Sequence, residues 1–306
     1  MNISIVVPFF NEHESLEELY NRIVDTCEQA GRDFEIIFVD DGSTDGSGDE
    51  VAAIAGRDSR ARLITFRVNN GKAAALQAGF DAVAGDYVIT MDADLQDDPS
   101  EIPALVAALD GGLDMVSGWK KTRHDPLSKR LPSKVFNGIV RFFSGMSLHD
   151  FNCGLKAYRR EVVKTLSIYG ELHRFIPVLA RFEGFRVGEL AVRHHPRKFG
   201  RSKYGARRFI AGFLDLMTVI LLTRYTTKPL HLFGSIGLAL CFLGGVVNTY
   251  IVALWLKFHN IQGRQPLLVG GVFLFLLGVK FISTGLLAEL ITHSRMERRK
   301  TYSVER

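Results

Sequence analysis

The sequence predicts an α/β fold, a mostly parallel sheet followed by membrane-surface helices and two transmembrane helices. Three observations carry that prediction. Short apolar runs alternate with helical stretches through the first part of the chain, and strand and helix in turn imply parallel strands covered on both faces. Two of those runs end in acidic clusters, Asp40-Asp41-Gly42-Ser43-Thr44-Asp45 after Phe34 to Val39 and Asp92-Ala93-Asp94-Leu95-Gln96-Asp97-Asp98 after Tyr87 to Thr90. The apolar content, 47% of 306 residues, also gathers near the carboxyl end in stretches long enough to span a bilayer.

Taken in order, Ile3 to Val7, Phe34 to Val39, Arg62 to Phe66, Tyr87 to Met91 and Met115 to Ser117 read as strands. Between the first two, Glu14 to Ala30 places Leu16, Leu19, Ile23 and Cys27 at the spacing of a helix lying on a sheet. Asn69-Asn70-Gly71-Lys72 reads as a turn opening a helix, whose amides suit an anion but more plainly serve as loop-to-helix punctuation. Lys134 to Gly145 and Phe209 to Leu222 are amphipathic, and the second, at about 14 residues with Asp215 inside it, is too short to span. Both are expected to lie on the membrane surface.

Leu230 to Leu256 carries no charge except the half-titrating His231, so it is expected to span. Leu267 to Ile291, interrupted by Lys280 and Glu289 and rich in small residues suited to close helix contact, is the second span. Arg224 and Lys228 flank the pair on one side and Arg295, Arg298, Arg299 and Lys300 on the other, which places both flanks in the cytosol by the positive-inside tendency. The chain opens directly into its first strand without a signal-like segment, so the amino-terminal domain is expected to stay cytosolic. The expected organisation is a catalytic domain over residues 1–205, a surface helix over 206–228 and a membrane domain over 229–306, with spans at about 230–256 and 267–291.

Strand ends that deliver two carboxylates one residue apart build a site of hard oxygen ligands where α/β folds bind ligands. That chemistry suits a divalent metal and a phosphate-bearing substrate. A helix cap would need one acid, not Asp92, Asp94, Asp97 and Asp98 together. Gly42, Gly46 and Gly48 follow the second strand, and Val51 stands where a third glycine would be needed, so a dinucleotide oxidoreductase is discounted. The three cysteines lack metal or redox spacing and suit reduced thiols. The net charge of +5, carried largely after Lys120, suits anionic lipid and phosphate, and no nucleic-acid module is present.

Val6-Val7-Pro8-Phe9-Phe10-Asn11-Glu12, Val39-Asp40-Asp41-Gly42-Ser43-Thr44-Asp45 and Asp92-Ala93-Asp94-Leu95-Gln96 resemble the three signatures of family 2 glycosyltransferases with the A-type fold. Asp150-Phe151-Asn152-Cys153-Gly154-Leu155-Lys156, His173-Arg174-Phe175-Ile176-Pro177 and Arg197-Lys198-Phe199-Gly200-Arg201-Ser202-Lys203-Tyr204-Gly205 resemble the polyprenyl-phosphate glycosyltransferase branch. The resemblance implies that Pro8, Phe10, Glu12, Val39 and Asp41 hold the nucleoside, that Ala93 contributes to donor binding, and that Asp92, Asp94 and Gln96 form the metal motif with Asp94 the leading candidate for direct ligand. It further implies that Arg197 and Lys203 clamp the donor diphosphate, and that Arg130 and Ser133 bind the acceptor phosphate. Asp150 is the tempting candidate for a base, but because a phosphate acceptor needs no strong base it is expected instead to orient the acceptor or its basic partners. Phe10 stands where mannose-transferring relatives often have tyrosine, and Trp119-Lys120 where they often have arginine, which turns the expected donor from GDP-mannose toward a UDP-sugar bound partly by Lys120.

The activity implied is inverting transfer of a sugar from a nucleotide-sugar to a polyprenyl phosphate such as undecaprenyl phosphate, assisted by Mg2+ or Mn2+. The expected partners are those two substrates, the lipid bilayer and further copies of this chain in a homo-oligomer. A processive polysaccharide synthase would carry a Gln-x-x-Arg-Trp motif, and neither Trp119 nor Trp255 follows an arginine. A nucleotidyltransferase leaves the lipid-side features without a purpose, and a non-catalytic scaffold would have lost the acids. Use of GDP-mannose, or of another membrane lipid such as diacylglycerol as acceptor, stays open.

Overall fold

In the computed structural model the described residues are 2–121, 137–142, 144–196, 217–218, 228–261 and 263–296. They fall in two compact units, Met1–Val219 and Ile220–Arg306.

The first unit is a seven-stranded sheet in the order β3-β2-β1-β4-β6-β5-β7. The strands are β1 (Ile3–Phe9), β2 (Phe34–Asp40), β3 (Ala61–Thr65), β4 (Tyr87–Thr90), β5 (Met115–Lys120), β6 (Lys156–Arg159) and β7 (Val187–Val192). β1 to β4 are mutually parallel and β7 is parallel to β5, whereas β6 runs antiparallel between β4 and β5. The five expected strands are present to within a residue or two at most ends, and β5 continues three residues further. β6 and β7 were not foreseen. Four residues with charges at both ends carry no strand pattern, and β6 owes its conformation to the two strands that bracket it.

β1 is buried throughout because both faces of the parallel sheet are covered. Its alternate residues serve two core layers: Ile3, Ile5 and Val7 pack with Leu16, Leu19 and Ile23 of α1 (His13–Gln29), while Val6 packs with Leu76 and Phe80 of α3 (Lys72–Ala82). A fully buried side chain of this kind contributes about 1.5–3 kcal/mol. Gly79 of α3 presses on Val6 so closely that any Cβ there would collide with it. The remaining helices of the unit are α2 (Ser47–Arg57), α4 (Ile102–Asp110), α5 (Arg160–Thr165) and α6 (Ile176–Phe182). Residues 137–142 are helical, with Val140 buried and Phe142 exposed. The second amphipathic segment, 209–222, lies outside the described residues apart from 217–218.

The second unit contains α7 (Pro229–Phe258) and α8 (Gln265–Met296), both long and apolar enough to cross a membrane. The helices touch along glycines spaced by seven. A Cβ at Gly244 would come 2.6 Å from the Gly271 carbonyl oxygen, and one at Gly278 would come 2.5 Å from that of Gly237. Small residues here let two backbones approach closely. Glu289 Oε2 accepts a hydrogen bond from the Leu230 amide at 3.1 Å, so this acid within an apolar helix serves an orphan amide at the start of α7. Lys280 is on the exposed side of α8.

Candidate active site

The carboxyl ends of β1, β2 and β4 carry the three expected signatures side by side, as the parallel order β2-β1-β4 requires. The loops after β1 and β2 lock onto each other. Asn11, held at φ +53°, donates its amide to Ser43 Oγ at 3.0 Å and accepts the Thr44 amide at 2.8 Å, while Glu12 donates its amide to Ser47 Oγ at 3.0 Å. Asp40 Oδ1 accepts the Ser43 amide at 2.8 Å. Asp41 accepts two amides of the loop before α3, Asn70 at 2.7 Å and Gly71 at 2.9 Å. Those amides therefore punctuate the helix start by binding a protein carboxylate. Gly42 makes the crossing possible: at φ +76° it lies under Val68, and a Cβ would come 2.8 Å from the Val68 carbonyl carbon.

These loops enclose a cleft of about 320 Å³, lined by Pro8, Phe10, Glu12, Asp41, Asp92, Ala93 and Asp94 together with Lys72, Glu171 and His173. Seven of the expected site residues thus share one cavity. Val39 is buried in the core beneath it. Gln96 donates from its side chain to the His195 carbonyl at 3.4 Å and accepts the His195 amide at its own carbonyl at 2.8 Å. Lys120 lies behind the acidic loop, 3.4 Å from Asp97, whose side chain is only 1% exposed. Asp150 is buried too, outside the cleft lining. Its Oδ1 accepts the Asn152 amide at 3.1 Å, and its own amide donates to Glu189. Arg130, Ser133, Arg197 and Lys203 lie outside the described residues.

The two acids of the metal motif are held differently. Asp92 is ion-paired with Lys72, the first residue of α3. Burial pushes its carboxyl up, but Lys72, Lys120 and Lys156 outweigh this and hold it well below the usual carboxylate range. Asp94 Oδ1 accepts the Gln96 amide at 3.2 Å across a turn that puts Leu95 at φ +58°. Among the described residues no group of three acidic, histidine or cysteine side chains gathers round one point. A set of one or two carboxylates on an open cleft fits a hard divalent ion that takes its remaining ligands from substrate phosphate and water.

A smaller cavity of about 20 Å³ adjoins the cleft through Lys72, Asp92 and His173, and is closed by Thr90, Asn152, Cys153, Lys156 and Tyr158. Lys156 is buried and donates to the Cys153 carbonyl. Burial, with Lys72, Arg174 and Lys156 nearby, pushes the His173 imidazole down to about 2, so it is neutral. Lys72, Lys156, Glu171 and His173 are absent from the residues to which the sequence alone assigned a role. Lys72 left one signal, a cation at a helix amino terminus where the helix dipole disfavours it.

Residues 4–167 match glycosyl transferase family 2. The chain is 40% identical over 299 residues to dodecaprenyl-phosphate galacturonate synthase of Rhizobium johnstonii, covering 96% of this chain and 88% of that protein. It is 37% identical over 292 residues to undecaprenyl-phosphate 4-deoxy-4-formamido-L-arabinose transferase of Salmonella paratyphi B, covering 94% and 88%. Its fold is similar to that of glucosyl-3-phosphoglycerate synthase from Mycobacterium tuberculosis, with a TM-score of 0.55 and 24% identity over 72% of this chain and 79% of that one. The A-type fold is thus confirmed, and the chain is a glycosyltransferase belonging to glycosyl transferase family 2.

Proposed function

We propose that this enzyme transfers a sugar from a nucleotide-sugar, with UDP as the nucleotide, to the phosphate of a polyprenyl phosphate, inverting the anomeric centre. The carrying observation is the cleft at the ends of β1, β2 and β4, where the Asp92-Ala93-Asp94 run faces Pro8, Phe10, Glu12 and Asp41 across a cavity of about 320 Å³. The acceptor reading is supported by the names of the two relatives, both polyprenyl-phosphate sugar transferases, and by the two helices long enough to hold the chain at the bilayer where such a lipid resides. The UDP reading rests on Phe10 and Trp119-Lys120.

A phosphate monoester is already anionic near neutral pH, so the acceptor needs no strong general base. The buried position of Asp150 agrees with an orienting role. The chain's work is then alignment of the substrates and support of the leaving nucleoside diphosphate. Asp94 would hold Mg2+ or Mn2+, which when bound neutralises charge on that leaving group. Arg197 and Lys203 add charge-assisted hydrogen bonds to the diphosphate, and Arg130 and Ser133 hold the acceptor phosphate. Neutral His173 offers a hydrogen bond on the cleft wall without adding charge. The catalytic unit and both termini face the cytosol, the enzyme works as a homo-oligomer, and Lys280 snorkels from its exposed helix face toward the cytosolic headgroups.

The test is to incubate membranes containing the protein with radiolabelled UDP- and GDP-sugars, undecaprenyl phosphate and Mn2+. Label from a UDP-sugar is expected in the lipid phase. Label from GDP-mannose alone would overturn the choice of nucleotide, and no lipid label from any donor would overturn the acceptor.

A further inference from the structure

Asp92 and Asp94 stand one residue apart on the same cleft wall, yet Asp92 is already provided with a cation. Its carboxylate lies flat against Gly154, where a Cβ would come 2.5 Å from one oxygen and 2.7 Å from the other. Lys72 closes it from the side of α3, and Lys120 and Lys156 complete a cationic surround. Two hard carboxylates this close would otherwise begin a preformed divalent-ion site. With an ammonium in direct contact with Asp92, a doubly charged ion on that carboxylate would meet like charge at contact distance. The placement of Lys72 agrees: a helix amino terminus is an unfavourable seat for a cation unless an anion waits there, and Asp92 is that anion.

We infer that Lys72 is the resident counter-cation of Asp92, a positioning residue that fixes this carboxylate and keeps a divalent ion off it. Asp94 would then hold the ion, with the donor diphosphate supplying further ligands, so that the ion would arrive with the substrate instead of being stored beforehand. This rests on the metal-assisted reading of the site given above.

The experiment is a titration of the full-length protein in detergent with Mn2+ alone, followed by electron paramagnetic resonance of the free ion. The wild type should bind weakly. Lys72→Met should bind about tenfold more tightly or better, the scale of one neighbouring charge, and adding Asp92→Asn to it should cancel the gain. Lys72→Arg, which keeps the charge, should stay near the wild type. An unchanged or weaker affinity in Lys72→Met, or equal tightening in Lys72→Arg, would overturn the inference. A companion transfer assay separates the two readings. Full transfer in EDTA removes the metal-assisted mechanism itself, whereas Mn2+-dependent transfer with no effect of Lys72→Met removes only the role given to Lys72.

Discussion

The acidic cluster after β2 and the one after β4 look alike in sequence, each a buried apolar strand ending in paired aspartates, but the protein gives them different partners. Asp40 and Asp41 are taken up by backbone amides of Ser43, Asn70 and Gly71. Asp92 meets an ammonium, and Asp94 lines the cleft across a tight turn. An acid satisfied by amides builds a loop, because its charge is spent on fixing backbone. An acid among lysines on a cavity wall handles charge that arrives from outside.

That contrast is broken most directly at Asp94. Asp94→Ala should lower transfer by about a thousandfold or more while leaving the unfolding midpoint near that of the wild type. EDTA should abolish transfer and Mn2+ restore it. Full activity in either condition would show that the β4 cluster is structural like its counterpart.

Asp41→Ala should show the opposite balance. Removing an ionised acceptor of two amides costs about 1.5–3 kcal/mol for each bond, so a drop of several degrees in the thermal midpoint is expected from this buried site. Loss of the loop that Asp41 holds should also weaken donor binding. A variant with unchanged stability and only a donor-binding defect would move Asp41 from loop builder to direct ligand.

The distinction between the clusters was not legible in the sequence, though the clusters themselves were. β1, β2 and β4 announce themselves because buried parallel strands read as continuous apolar runs. β6 does not, since Lys156-Ala157-Tyr158-Arg159 becomes a strand only by lying between β4 and β5. The same antiparallel insertion carries Lys156 to the pocket beside Asp92, and the turn before α6 brings His173. Both arrive from more than sixty residues away along the chain, so no local spacing could pair them with the acid. The amides that consume Asp41 belong to a loop whose neighbour in space is set by the parallel crossover, again a property of topology.

The clamp assigned to Arg197 and Lys203 extends the β4 side of the comparison. Each alanine variant should lose about 10- to 150-fold in kcat/KM for the donor, the equivalent of about 1.5–3 kcal/mol for one charge-assisted contact. Unchanged constants in both would place these residues away from the diphosphate.

The smallest effect sharpens the picture of the cationic pocket. His173 is half-buried beside Lys72, Arg174 and Lys156, and its imidazole is held down to about 2, whereas an unfolded histidine titrates near 6.5. As pH falls from about 6.5 the unfolded chain takes up a proton that the folded chain refuses. This group therefore contributes nothing to the pH dependence above that range and erodes stability below it, by about 1.4 kcal/mol per pH unit, until the folded imidazole itself is protonated near 2. His173→Gln, which cannot titrate, should flatten the decline of the thermal midpoint between pH 6.5 and 5. Identical slopes in the two proteins would mean that the folded imidazole is charged, and hence that the surroundings of Asp92 are less cationic than its three lysines make them.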